Sequence, residues 1–217
     1  MTKMSIENYI QKFRNSPEGK GVTGRAEVDQ LAVQSPKEAL VIARKIQHPW
    51  YRCQAITSIV EANPKRFDAV ELLEEALSAA YSQAEPNRIA SVSSWPLQPL
   101  VQTNPSLAEK HTKKLLQIIG EEPHSLRRLD GICGILRGVW DNQSIRELVL
   151  KPFIETANVC PGWRADRIVS YIARDLLPFN QPLAMQLLKS RPENRFVKQI
   201  LKQLSSVTNS PGNADKY

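Results

Sequence analysis

Arg52-Cys53-Gln54-Ala55-Ile56, Arg88-Ile89-Ala90-Ser91-Val92, Arg128-Leu129-Asp130-Gly131-Ile132 and Arg167-Ile168-Val169-Ser170-Tyr171 set out one phrase four times: arginine, apolar, any residue, small, apolar. A fifth copy, Arg195-Phe196-Val197-Lys198-Gln199, keeps the opening and loses the rest. Successive arginines lie 36, 40, 39 and 28 residues apart. The two apolar positions are three residues apart, so in a helix they face the same way. The small residue lets two helix backbones approach closely. A spacing of about 35–45 residues leaves room for one further helix between copies, and two-helix units of that length stack on one another because one pair cannot cover its own apolar faces. A degenerate last copy suits a terminal unit with one face toward water.

The stretches between copies carry helix signals. Ser35-Pro36-Lys37-Glu38 reads as an N-cap, a proline at the first helical position and a glutamate completing a capping box. Asn63-Pro64 and Asn104-Pro105 repeat the cap-then-proline pattern, and Asn180-Gln181-Pro182 is a looser form. Val70, Leu73, Leu77 and Ala80 share one helical face, with Glu71, Glu74 and Glu75 off it as a solvated face. No stretch alternates strictly, so no strand is predicted. The expected first members of the pairs span about 36–46, 64–82, 105–119, 142–158 and 182–189. The second members span about 51–62, 87–102, 126–139, 164–177 and 194–205. Residues 1–34 read as a lead-in: a short amphipathic helix, then a linker over 15–24 with three glycines and a proline. Residues 35–205 form the array, and 206–217 a flexible polar tail.

This pattern resembles the HEAT-like (armadillo-type) helical repeats, at the level of the repeat over roughly residues 35–205. Tetratricopeptide repeats are the near competitor, and their Trp-Leu-Gly-Tyr signature is absent. The resemblance implies an all-α fold, a right-handed αα-superhelix or solenoid of about five helix pairs.

Composition agrees with a globular helical chain. The 217 residues are 41% hydrophobic and 24% charged, with only 9 glycines, which counts against a turn-rich all-β protein and against disorder. No apolar run approaches the length of a membrane span. Cys53, Cys133 and Cys160 are odd in number, far apart and outside any CxxC pair; they are expected as buried free thiols in a cytoplasmic protein. Charge is uneven. Residues 1–109 carry 12 basic and 12 acidic residues, and residues 110–217 carry 17 and 10, so the whole net charge of +7 lies in the second half.

The candidate binding residues are Arg52, Arg88, Arg128 and Arg167, with Trp95 and Trp163. An arginine in the first turn of a helix opposes the macrodipole, so its repetition needs a reason. One is a structural ladder with Glu85, Glu121, Glu122 and Asp166. The other is a positive track for a partner or for phosphates. Trp95-Pro96-Leu97-Gln98-Pro99 is expected to kink or break its helix. Trp163, beside Pro161-Gly162, is the best candidate for an exposed loop aromatic; the bland alternative for every tryptophan is seam packing.

No phosphate-binding, dinucleotide, HExxH or GxSxG motif occurs. His48, His111 and His124 lack a second ligand at helical spacing and read as surface or cap residues. No cofactor and no metal are implied. The leading reading is therefore a non-enzymatic helical scaffold for a protein or peptide. The alternative is binding to the nucleic-acid backbone through the basic second half. The HEAT-like resemblance also extends to alkylpurine DNA glycosylases, for which Asp175 is the one acid to test, and to bilin lyases, for which the repeats alone speak.

Overall fold

A computed structural model describes residues 6–65 and 68–208. They form twelve helices and no strand. In chain order these are α1 (Ile6–Asn15), α2 (Pro17–Leu31), α3 (Pro36–Lys45), α4 (Pro49–Ala62), α5 (Ala69–Tyr81), α6 (Pro86–Thr103), α7 (Pro105–Gly120), α8 (Ser125–Gly138), α9 (Gln143–Val159), α10 (Trp163–Leu176), α11 (Gln181–Lys189) and α12 (Arg195–Thr208). The chain divides into two compact units, 1–150 and 151–217, and the division falls inside α9 beside Pro152.

In the first unit the even-numbered helices form a shared layer. α2 packs on α4, α4 on α6 and α6 on α8, while α3, α5 and α7 each lie against the two even helices that flank them in sequence. The repeated phrase explains this. Cys53 and Ile56, Ile89 and Val92, and Leu129 and Ile132 are all buried, each contributing roughly 1.5–3 kcal/mol when fully taken from water. Closest of all are α6 and α8. A Cβ on Gly134 would lie 3.1 Å from Ser91 Cα, and one on Gly138 would lie 2.8 Å from the Ser94 carbonyl oxygen. The missing Cβ at Gly138, and more marginally at Gly134, lets the two backbones approach this closely.

The lead-in differs from expectation. Residues 15–24 are not a linker, because α2 runs through them and joins the layer. Ser16 caps it by accepting from the Gly19 N–H at 3.1 Å, and Pro17 fills the first position. Its glycines serve close approach: a Cβ on Gly21 would strike the Tyr51 ring at 2.4 Å. Asn63 stops α4 rather than starting α5. Its Nδ2 donates to the Ile59 carbonyl at 3.0 Å and to the Ala32 carbonyl at 2.7 Å, tying α4 to the end of α2. Ser35 occupies the N-cap of α3 but makes no side-chain cap bond. Asn104 and Asn180 do cap as expected, accepting from Leu107 N–H at 3.1 Å and Leu183 N–H at 3.0 Å.

α6 continues through Pro96 and Pro99 without a break. Pro96 has no N–H to offer the Val92 carbonyl one turn back. That carbonyl instead accepts from the Cys53 thiol of α4, at 3.7 Å. Burial pushes the Cys53 pKa far up, which keeps the thiol protonated and able to donate. All three cysteines are free and buried.

In the second unit α10 packs on α11 and α12. Here the phrase is used differently. Ile168 and Tyr171 are half-buried, and Ala165, Val169, Ile172, Ala173 and Leu176 face the core instead. At the last copy Val197 and Ile200 are buried while Lys198 and Gln199 are exposed. α12 reaches Thr208, so residues 206–208 of the expected tail are helical; 209–217 lie outside the described residues. No helix among the described residues is long and apolar enough to cross a membrane.

Candidate functional site

Four even helices bring their N-terminal halves to one groove in the first unit, with a volume of about 300 Å³. α4 supplies Trp50 and Tyr51, with His48 just before it; α6 supplies Asn87, Arg88 and Ser91; α8 supplies Asp130; Glu18 comes from the first turn of α2. These positions converge because each copy of the phrase starts near its helix N-terminus and the helices stack side by side. The His48 and Tyr51 rings are 5.0 Å apart and tilted by 54°. His48 Nδ1 and Asn87 Oδ1 are buried and have no hydrogen-bond partner in the protein. Buried polar atoms of this kind carry a cost until something meets them. Glu18 and Asp130 stand exposed at the groove.

The predicted arginines do not form one ladder. Arg88 reaches Glu85 at 3.8 Å, and Arg127 of α8, not Arg128, reaches the same carboxylate at 3.7 Å. Arg128 donates from Nε and Nη2 to the Glu122 carbonyl, at 2.8 and 2.6 Å, and so closes the end of the turn after α7. Arg52 is half-buried beside the layer with no acidic partner among the described residues. Asp166 is taken by Arg191, not by Arg167. Of the four arginines only Arg88 lines the groove.

The two nominated tryptophans separate in the same way. Trp95 lies under the Arg25 guanidinium, 4.9 Å from its ring centre, and Arg25 also donates to Gln54 Oε1 at 3.0 Å. That contact joins α2, α4 and α6 and makes Trp95 a seam residue. Trp163 is 56% exposed at the first position of α10, with the Arg164 and Arg167 guanidiniums 5.4 and 5.6 Å from its ring centre. Gly162 before it has φ of 98°, a left-handed backbone that favours glycine.

Comparison with protein-family models, with curated proteins and with solved structures gave no match. The chemistry therefore has to be taken from the residues themselves. Among the described residues no three His, Cys, Asp or Glu side chains gather as a metal site. Asp175 accepts from Arg174 at 2.9 and 2.7 Å and is outside the groove.

One cluster was not legible in the sequence. His111 is not a surface or cap residue: it lies mid-way along α7 and reaches α5, with Nδ1 2.8 Å from the Tyr81 hydroxyl and Nε2 3.9 Å from Glu74 Oε1. Burial pushes the Tyr81 phenol well above its ordinary range, so the hydroxyl stays protonated in its hydrogen bond with Nδ1. Burial also lowers the His111 pKa, against the pull of Glu74 and with help from Lys114 and Lys110. The folded state thus binds this proton less readily than the unfolded chain. Its contribution to stability is full above the ordinary histidine value of about 6.5 and is lost as pH falls below it. Melting curves at pH 7.5 and 5.5 should show a drop for the wild type that is smaller in His111→Gln; equal drops would contradict the assignment.

Proposed function

We propose that residues 6–150 form a short right-handed αα-superhelix of the HEAT-like kind, acting as a non-enzymatic scaffold that holds an extended peptide segment in the groove across α4, α6 and α8. The observation that carries this reading is the groove itself, where two acids, Glu18 and Asp130, stand beside Trp50 and Tyr51, and the one arginine, Arg88, lies near Glu85. A volume of about 300 Å³ suits one or two side chains of a docked segment and not a folded surface. Trp50 and Tyr51 line the groove with aromatic side chains of the kind that attract a cation, and Glu18 and Asp130 offer it a counter-charge. The residue that fits is an arginine or lysine. The layered contacts of the even helices support the superhelical reading, as does the seating of α3, α5 and α7 each against two successive even helices.

Fluorescent nonapeptides of random flanks, centred on arginine in one pool and on glutamate in another, test it by anisotropy. The arginine pool should bind the intact chain, and Asp130→Lys together with Trp50→Ala should weaken that binding at least about tenfold, near 1.4 kcal/mol. Equal binding of the two pools, or no binding at millimolar concentration, would contradict the proposal.

A further inference from the structure

Residues 151–217 carry ten Lys+Arg against five Asp+Glu, a net +5. Three of the five acids are already engaged: Asp166 by Arg191, Asp175 by Arg174 and Glu193 by Lys198. Arg164, Arg167 and Arg195 are exposed and have no acidic partner among the described residues. Each of them lies instead by an aromatic ring.

The arrangement is periodic. Trp163, Arg167, Tyr171 and Arg174 recur at i, i+4, i+8 and i+11, which places them on one face of α10. Arg167 lies 5.6 Å from the Trp163 ring centre and Arg174 lies 5.2 Å from that of Tyr171. Tyr171 meets Phe196 of α12 edge-on at 6.2 Å, and Arg195 lies 4.8 Å from the Phe196 ring centre. Rings and guanidiniums therefore alternate along α10 and onto the start of α12. From Trp163 to Tyr171 this covers roughly 12 Å, at 1.5 Å per helical residue, a span suited to two or three nucleotides.

From this we infer that the α10 face of residues 151–208 binds single-stranded nucleic acid. An unpaired base stacks on the Trp163 indole, and Arg164, Arg167 and Arg195 neutralise the phosphates on either side. Stacking on an exposed ring flanked by cations is tolerant of sequence, and it needs a base whose face is free. A duplex hides those faces. An acidic peptide would meet the same arginines but would gain little from the indole, and the weight of the observations lies on the ring. This inference stands on the second unit alone and does not depend on the peptide groove.

The test is a titration of the intact chain with fluorescein-labelled dT12, repeated across salt concentrations. Binding should quench tryptophan emission, and the log–log salt slope should be about −2 for three phosphates on a single strand. Trp163→Ala, at an exposed position, should leave the melting temperature unchanged and weaken dT12 about tenfold. Arg164→Gln with Arg167→Gln should bring the slope to about −0.7. A 12-residue poly-glutamate peptide and a 12-base-pair duplex serve as competitors, and both should displace dT12 poorly. The inference is overturned by no binding of dT12 at low salt, by a flat salt response, by Trp163→Ala binding like the wild type, or by a competitor as effective as unlabelled dT12.

Discussion

Arg191→Leu should cost residues 151–208 about 3–5 kcal/mol, the range for leaving one member of a buried ion pair alone. Arg191 Nε donates to Asp166 Oδ1 at 2.7 Å, Nη1 to the Ala157 carbonyl at 2.9 Å and Nη2 to the Cys160 carbonyl at 2.9 Å. The two side chains are only 7% and 10% exposed. One guanidinium thus satisfies a buried carboxylate on α10 and two carbonyls at the end of α9. Leucine fills similar space and satisfies none of them. A unit of this size holds a total stability of roughly 0.05–0.15 kcal/mol per residue, so the loss is comparable with the whole. Asp166→Leu added to Arg191→Leu should recover part of it, because the stranded charge goes with its partner. Urea unfolding, read from the amides of residues 151–208, gives the numbers. A cost under about 1 kcal/mol for the single variant would contradict the clamp.

Gly138→Leu should be strongly damaging to the contact between α6 and α8. A Cβ there meets the Ser94 carbonyl oxygen at 2.8 Å, Ser94 Cα at 2.9 Å and Leu97 Cβ at 3.0 Å. Two of these are backbone atoms of α6 and cannot turn aside as a side chain can. Overpacking of this kind costs about 1–3 kcal/mol for one or two methylenes, and leucine adds more than that. α6 and α8 must then separate, which strips cover from Leu97 and Leu136, both fully buried. Gly120→Ala is the matched control. Nothing lies within 4 Å of its added Cβ, and alanine gains up to about 1 kcal/mol over glycine in a helix. The melting temperature should fall sharply for the first and hold or rise for the second. Similar values for both would mean that α6 and α8 are not in backbone contact.

The arginine-led phrase was enough to place α4, α6 and α8 and the helices between them, because side-chain spacing within one helix is a local property. What failed was also local in origin. Gly19, Gly21 and Gly24 look like a linker only when glycine is read as flexibility; in α2 they mark close approach, and Ser16-Pro17 before them is the same start signal as Asn104-Pro105. Asn63 carries the letters of a cap but closes the preceding helix, since its amide finds the end of α2, 31 residues back. The fourth copy of the phrase matches in letters and yet turns a different face to its core, because burial depends on neighbours that the phrase does not contain.

The sites were less legible still. Arg88 near Glu85 is within reach of a local reading. The partner of Asp166 is 25 residues downstream at Arg191, and that of His111 is 30 residues upstream at Tyr81. No spacing rule carries such distances. In the sequence Trp50 is only a large aromatic near a helix start; that it lines a groove follows from Asn87 and Asp130 arriving from two other helices. Trp163 was legible, since Pro161-Gly162 sets it at a helix start where a core partner is hard to reach.

Hydrogen exchange on the intact chain probes the shared layer of α2, α4, α6 and α8 without altering it. Amides of α6, covered by α4, α5, α7 and α8, should exchange most slowly within residues 6–150, with those of α4 and α8 next and the outer α3 and α7 fastest among the interior helices. Protection of α3 and α7 equal to or above that of α6 would mean that the arginine-led helices are not the centre around which this unit is built.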